Sequence, residues 1–231
     1  MPGEPHSSRL QQLYWTAKQT LRRGIQPSPA GVHKLKQALA AIPLEELGLK
    51  EDDLEQAPRG LQSWFQKQKA RNPHVTYLHI HEDADFSLGI FCIPAKASLP
   101  LHDHPGMTVL SRVLYGDMHV RGLDWVKHQP AAVAADELAE VALDTNLSSG
   151  SAPAALFPTD GGNIHQLTAI TPCAVLDLLA PPYNPSGGRD CTYYAESPAA
   201  AGKVALRVVE RPADFVCKSA RYQGLQIDQH R

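Results

Sequence analysis

The sequence predicts a mainly β fold, an all-β barrel or sandwich, preceded by a helical layer. Three observations predict it. From Val75 onward apolar residues alternate in short runs separated by turn residues. Almost no helical spacing interrupts those runs. The front third instead repeats its apolar residues at the spacing of an amphipathic helix.

The first expected helix covers residues 8 to about 24. Ser7 or Ser8 caps it, Leu10, Leu13, Tyr14, Ala17 and Leu21 share a face, and Gly24 with Pro27 and Pro29 ends it. A second, over Ala30–Ala41, places Val32, Leu35, Leu39 and Ile42 on one side. The acidic segment Pro43–Ala57 predicts a short helix, and Leu61–Ala70 one or two further turns. Such a layer must bury its apolar stripe, most simply against a sheet. The expected division is a helical extension over 1–72 packed on a barrel domain over 73–231.

Strands are expected at Val75–His81, Phe86–Ile93, Met107–Tyr115, Met118–Trp125, Leu138–Leu143 and Ala154–Phe157. Four more follow at His165–Ile170, Ala174–Leu179, Thr192–Ala195 and Lys203–Val209. Gln129–Ser151 reads as an excursion ending in a loop, and Pro181–Arg189 as a long surface loop. Beyond Cys217 there is no clear pattern.

Composition removes several function classes. The 231 residues are 43% hydrophobic and 20% charged with a formal net charge of -2, so neither nucleic acid nor an anionic membrane is an expected partner. No stretch approaches the roughly 20 apolar residues that span a bilayer. The N-terminus lacks the cationic start and apolar core of a signal peptide. Cys92, Cys173, Cys191 and Cys217 are scattered and predict reduced thiols in a cytosolic or nuclear protein. A monomer is expected.

The chemistry centres on Pro100–Trp125. His102 and His104 stand two residues apart, so on an extended chain their imidazoles share a face and can aim at one point. Neutral imidazole is the commonest metal-binding side chain. A third ligand is His165, delivered by the turn Gly161-Gly162-Asn163, whose glycines tolerate positive φ. Jelly-roll barrels of the cupin type are similar: a His-x-His pair, then a later Gly-x-x-His. They usually add a glutamate four or five residues after the pair, where this chain has Thr108 and Val109. The expected site is therefore three histidines without a carboxylate. Three neutral imidazoles leave a divalent ion its full charge and suit a substrate that brings its own anionic ligand, such as a thiolate. Three histidines and a water also describe catalytic zinc, so spacing leaves iron and zinc both open.

The blocks PLHDHPGM, VLYGDMHVRGLDWV, FPTDGGNIHQLTA, AVLDLLAPPY and GRDCTYY closely resemble the plant cysteine oxidases. These are thiol dioxygenases, a group that includes cysteamine (2-aminoethanethiol) dioxygenase. The resemblance runs from about Val75 to Tyr194, in order and in spacing. It implies a cupin barrel (a double-stranded β-helix) and mononuclear Fe(II) held by His102, His104 and His165. It implies O2-dependent oxidation of an N-terminal cysteine to its sulfinic acid. The implied substrates are proteins with an exposed N-terminal Cys, typically hypoxia-response transcription factors then marked for the N-degron pathway, which would make the enzyme an oxygen sensor. The alternatives are the same chemistry on a small thiol such as cysteamine, or a cupin that binds metal without catalysis.

Asp177 matches a family acidic residue near the metal. On a strand it points opposite to Leu176 and Leu178, and a lone buried Asp is costly unless paired. The resemblance implies that it meets the substrate's amino group or orients a ligand histidine. Tyr193 is expected to donate a hydrogen bond toward O2 or the thiolate. Cys191 stands two residues earlier and is a candidate for the Cys–Tyr cross-link of some thiol dioxygenases. Tyr183 and Arg189 are expected at the substrate entrance. Asp103, between two ligands, reads as structural. His79 and His81 form a second His-x-His pair without a partner and read as ordinary strand residues; His119 and His128 read as surface.

Overall fold

The computed structural model describes residues 7–22, 24–49, 74–126 and 137–229. Both front helices form. Helix α1 (Arg9–Thr20) is capped by Ser8, whose Oγ accepts from Gln11 N at 3.1 Å. It stops before the expected end because Leu21 turns to extended backbone. Helix α2 (Pro29–Ala40) opens on Ser28, which accepts from Gly31 N at 3.2 Å, with proline in its first turn where no N–H is missed. The acidic segment contributes only a 3-10 turn at Leu44–Leu47. The turns expected over Leu61–Ala70, the junction at residues 72 and 73, and His128 lie outside the described residues.

Among the described residues twelve strands follow: β1 (Val75–Glu82), β2 (Ser87–Ile93), β3 (Ser98–His102), β4 (Thr108–Tyr115), β5 (Asp117–Trp125), β6 (Glu137–Ser148), β7 (Ala154–Leu156), β8 (Ile164–Ala169), β9 (Cys173–Ala180), β10 (Tyr193–Pro198), β11 (Val204–Val209) and β12 (Cys217–Ala220). One six-stranded sheet runs β12–β1–β2–β9–β4–β7. The other strands close on themselves as β10–β11–β6–β5–β8–β3, through the pairing of Tyr193 with His102. Apart from β1 with β12, the neighbours are antiparallel. Between the two sheets lies a core that includes Ile93 and Val175 of one and Leu99, Val120 and Leu167 of the other. This is the cupin fold, a double-stranded β-helix.

Strand β9 explains how the layers stack. Ala174, Leu176 and Leu178 face the helices and pack with Leu10, Leu13, Leu35 and Leu39. Val175 faces the barrel interior, and all eight residues of the strand are buried. An apolar run, here interrupted only by Asp177, is the signature of a strand covered on both faces. Lys18 of α1 pairs with Asp83 at 2.9 Å and Asp85 at 3.0 Å in the β1–β2 turn, while Arg112 of β4 donates to the carbonyls of Leu39 and Ile42 at the end of α2. The helices thus share the sheet's core. Leu35→Ala is expected to cost about 2–5 kcal/mol of stability, read as a lower urea midpoint at unchanged slope.

Two strands lie outside the expected ones: β3 (Ser98–His102), and Cys217–Ala220 in the patternless tail, which runs parallel to β1. At five and four residues, their alternation is too brief to read. The strand expected at Leu138–Leu143 forms and runs on as β6 to Ser148, pairing with β5 from Asp117↔Ser148 to Trp125↔Ala139, before the turn over residues 149–151 that ends the excursion. Among the described residues, no helix is long and apolar enough to cross a membrane.

Candidate metal centre

The ligand atoms offered by His102, His104 and His165 lie within 4.8 Å of one another. Strand pairing brings them together. His102 ends β3 opposite His165 on β8, and Gly122 of β5 flanks His165 on the other side. His104 lies just past the strand end, in a turn closed by Met107 N donating to His104 O at 3.1 Å. The Gly161-Gly162-Asn163 turn has φ of +83° at both glycines, and a Cβ on Gly162 would come within 3.0 Å of the Gly122 Cα. Glycine is required there by conformation and by space.

Tautomers follow from the partners. His102 Nδ1–H donates to Pro100 O at 2.8 Å, leaving Nε2 as an acceptor. Tyr183 Oη donates to Asp103 O at 2.7 Å and therefore accepts from His104 Nδ1 at 2.9 Å. That turns the His104 Nε2 lone pair inward, where it stands 3.2 Å from Nε2 of His165. Burial pushes the protonation of all three rings below the ordinary imidazole range, and for His104 and His165 neighbouring histidines push it further. Three neutral, convergent imidazoles are what a divalent ion needs.

Support comes from residues that the sequence reading missed. Asn163 accepts from His104 N at 3.1 Å and donates to His104 O at 3.0 Å and Phe157 O at 2.8 Å. Asp124 in turn accepts from the backbone N–H groups of Gly162 and Asn163 at 3.0–3.1 Å. Their signal was in plain view: an Asn and an Asp inside motifs already singled out. Asp103 is structural, as read: its carboxylate accepts from Thr192 N and Tyr194 Oη at 2.9 and 3.0 Å.

A cavity of about 230 Å³ opens over the histidines, with Asp177, Tyr183, Cys191 and Tyr193 in its wall. Asp177 is buried, and its Oδ1 has no partner. Desolvation pushes its carboxyl up to about 6, against a hydrogen bond from Ser111 that pulls it down. The Cys191 thiol, pushed up to about 11 by burial, interacts with the hydroxyls of Tyr193 and Tyr183 and stays protonated at neutral pH. Tyr183 stands in the cavity wall and against His104. Arg189 is placed in the loop, its Nε donating to Pro182 O at 2.8 Å. The cation in the cavity wall is Arg211, 6.0 Å from the ring of Phe215.

The remaining histidines go elsewhere. His81 is buried against Tyr14 with Asp83 at 3.3 Å, and exposed His119 pairs with Asp144 at 2.7 Å. Cys92 and Cys173 are buried free thiols.

The PCO_ADO family model matches residues 39–227, which include all three histidines. The chain belongs to this family of thiol dioxygenases. Plant cysteine oxidase 1 of Arabidopsis thaliana is 38% identical over 193 residues, which make up 82% of this chain and 64% of that protein. Human 2-aminoethanethiol dioxygenase is 33% identical over 231 residues, covering 86% of this chain and 82% of the human one. An RmlC-like cupin from Desulfovibrio desulfuricans aligns at 21% identity and a TM-score of 0.36, over 58% of this chain and 98% of its own. For a PCO_ADO family member, the hydroxyl of Tyr183 is expected to act on the metal through His104. Tyr183→Phe should lower metal affinity about 10–100-fold with the fold intact, measured by competition with a chromophoric chelator.

Proposed function

We propose that this protein is an Fe(II)-dependent thiol dioxygenase that converts the N-terminal cysteine of target proteins to cysteine sulfinic acid. Both atoms of O2 end on one sulfur: R–SH + O2 gives R–SO2H, and no other reductant is required. The observation that carries the reading is Asp177, a buried carboxylate with an unpartnered oxygen in the cavity that the three histidines floor. A buried charge without a partner costs several kcal/mol, so the site is incomplete until a cation arrives. An N-terminal cysteine presents an ammonium two bonds from the carbon that bears its thiol, which matches a carboxylate beside a metal centre.

The donor set fits iron: three neutral imidazoles with no carboxylate leave open positions and an undiminished positive charge for a thiolate. A bound Fe(II) would supply the electron transfer to O2 and the Lewis acidity that favours thiolate over thiol. The chain's own residues do the rest. His102 and His104 are held in fixed tautomers by Pro100 O and Tyr183, Asp177 holds the ammonium, and the Tyr193 hydroxyl donates toward the substrate sulfur. Cys191, in reach of the Tyr193 hydroxyl, is the candidate for a thioether cross-link to that ring. A cavity of about 230 Å³ exceeds what a four-heavy-atom amine thiol fills, and this favours a peptide over cysteamine. The similarity to plant cysteine oxidases supports hypoxia-response transcription factors as substrates, the N-degron pathway as their fate and oxygen sensing as the role. Four free thiols fit the cytosol or nucleus.

The test is mass spectrometry of an N-terminal Cys peptide after aerobic incubation with Fe(II)-loaded protein, beside cysteamine and free cysteine. A gain of two oxygen atoms on the peptide is expected. Oxidation of cysteamine alone would reassign the protein to small thiols. No oxidation, with zinc in the protein as isolated, would sink the dioxygenase reading.

A further inference from the structure

A second cavity, of about 50 Å³, adjoins the first, and His165 belongs to the wall of both. It lies inside the barrel between the two sheets, walled near His165 by Val109, Val113 and Val175 on one side and by Val120 and Leu167 on the other. Its outer end is formed by Leu147, Ala154 and the exposed Ala152, next to the turn in which Ser151 N donates to Ser148 O. No charged side chain lines it. The polar side chains are His165 itself and the hydroxyls of Ser111 and Ser151. Ser111 is also the hydrogen-bond partner of Asp177, so its hydroxyl is already engaged at the boundary between the cavities.

The two cavities differ in what they can admit. The first carries Asp177, Tyr183, Tyr193 and Arg211 and has the size and polarity for a peptide terminus. The second is too small for an amino acid and is lined mainly by apolar side chains, and apolar cavities take up apolar gases such as xenon. O2 is small, uncharged and a poor hydrogen-bond acceptor. A peptide seated over the histidines covers the polar mouth, so O2 arriving by the same route must pass it.

We propose that the apolar cavity between the sheets is an O2 conduit that reaches the metal centre beside His165, separate from the peptide's entrance. This rests on the dioxygenase reading. Leu147→Trp and Ala154→Phe plug its outer half from half-buried positions, away from every residue assigned to the metal or the peptide. With peptide saturating, each is expected to raise the KM for O2 about tenfold, with kcat extrapolated to saturating O2 and the KM for peptide within about twofold of wild type. Separately, the metal-free wild-type protein under xenon pressure should bind xenon in this cavity, and Leu147→Trp should abolish that site. Circular dichroism checks that each variant is folded; if one is not, the other carries the test. Unchanged KM for O2 in a folded variant that has lost xenon overturns the conduit. So does a rise in the peptide KM instead, or a wild type that takes up no xenon here. A wild type that binds xenon but oxidises no thiol overturns the dioxygenase reading itself, and the two failures are told apart.

Discussion

His165→Ala is expected to abolish thiol oxidation and to reduce bound metal to background. Two imidazoles remain, but His165 is the candidate ligand that the Gly161–Asn163 turn delivers, and its Nε2 stands 3.2 Å from that of His104. Losing a group that only orients a ligand costs about 10–100-fold in metal affinity, so losing the ligand costs more. Metal content by mass spectrometry and peptide oxidation should fall together, while the circular dichroism spectrum stays that of a β protein. A variant that keeps wild-type metal and activity would remove His165 from the site. His81→Ala is the control: that ring is bonded to Asp83 and packed on Tyr14, so stability falls and metal content does not.

The second large effect has opposite signs in two measurements. Asp177 titrates at about 6 in the folded protein against an ordinary 3.8, because burial disfavours its charge. A folded-state pKa above the unfolded value means that the native state binds the extra proton. The carboxyl therefore lowers stability as pH rises from about 4 through 6 and costs up to about 3 kcal/mol at pH 7. In the metal-free protein, Asp177→Asn should be more stable than wild type at pH 7, and the difference should vanish below about pH 4. The same substitution leaves the substrate's ammonium buried without a counter-charge. It should lower kcat/KM for an N-terminal Cys peptide about 30-fold or more, chiefly through KM. Denaturant melts across pH and steady-state kinetics check both halves. A purely structural Asp177 predicts the reverse: stability lost at pH 7 and kinetics unchanged in whatever remains folded.

Much of this protein is local, and local physics is legible in a sequence. Period-two runs mark strands because alternate side chains face one sheet surface, and they located ten of the twelve strands. The run Ala174–Leu179 predicted a strand with Asp177 opposite to Leu176 and Leu178, and the structure adds that both faces of that strand are buried. The His-x-His pair and the Gly-Gly-Asn turn picked out the three histidines that converge, because an imidazole cluster needs a shared face and a backbone that can turn at positive φ.

Tertiary structure alone decided which distant groups meet. Asn163 clamps His104 from 59 residues away, Tyr183 reaches its ring from 79, and Tyr194 holds Asp103 from 91. No periodicity records such contacts, since a hydrogen bond across a barrel depends on strand order and register and not on neighbours in the chain. For the same reason the contact of Tyr183 with His104 and the place of Arg211 in the cavity wall went unread, while Arg189 is held in its loop by Pro182 O. Strand β12 formed from four residues without a pattern, because β1 offered a free edge to pair with. The chain's local chemistry determined the three convergent histidines and the fold class. Closure of the barrel decided what stands around them.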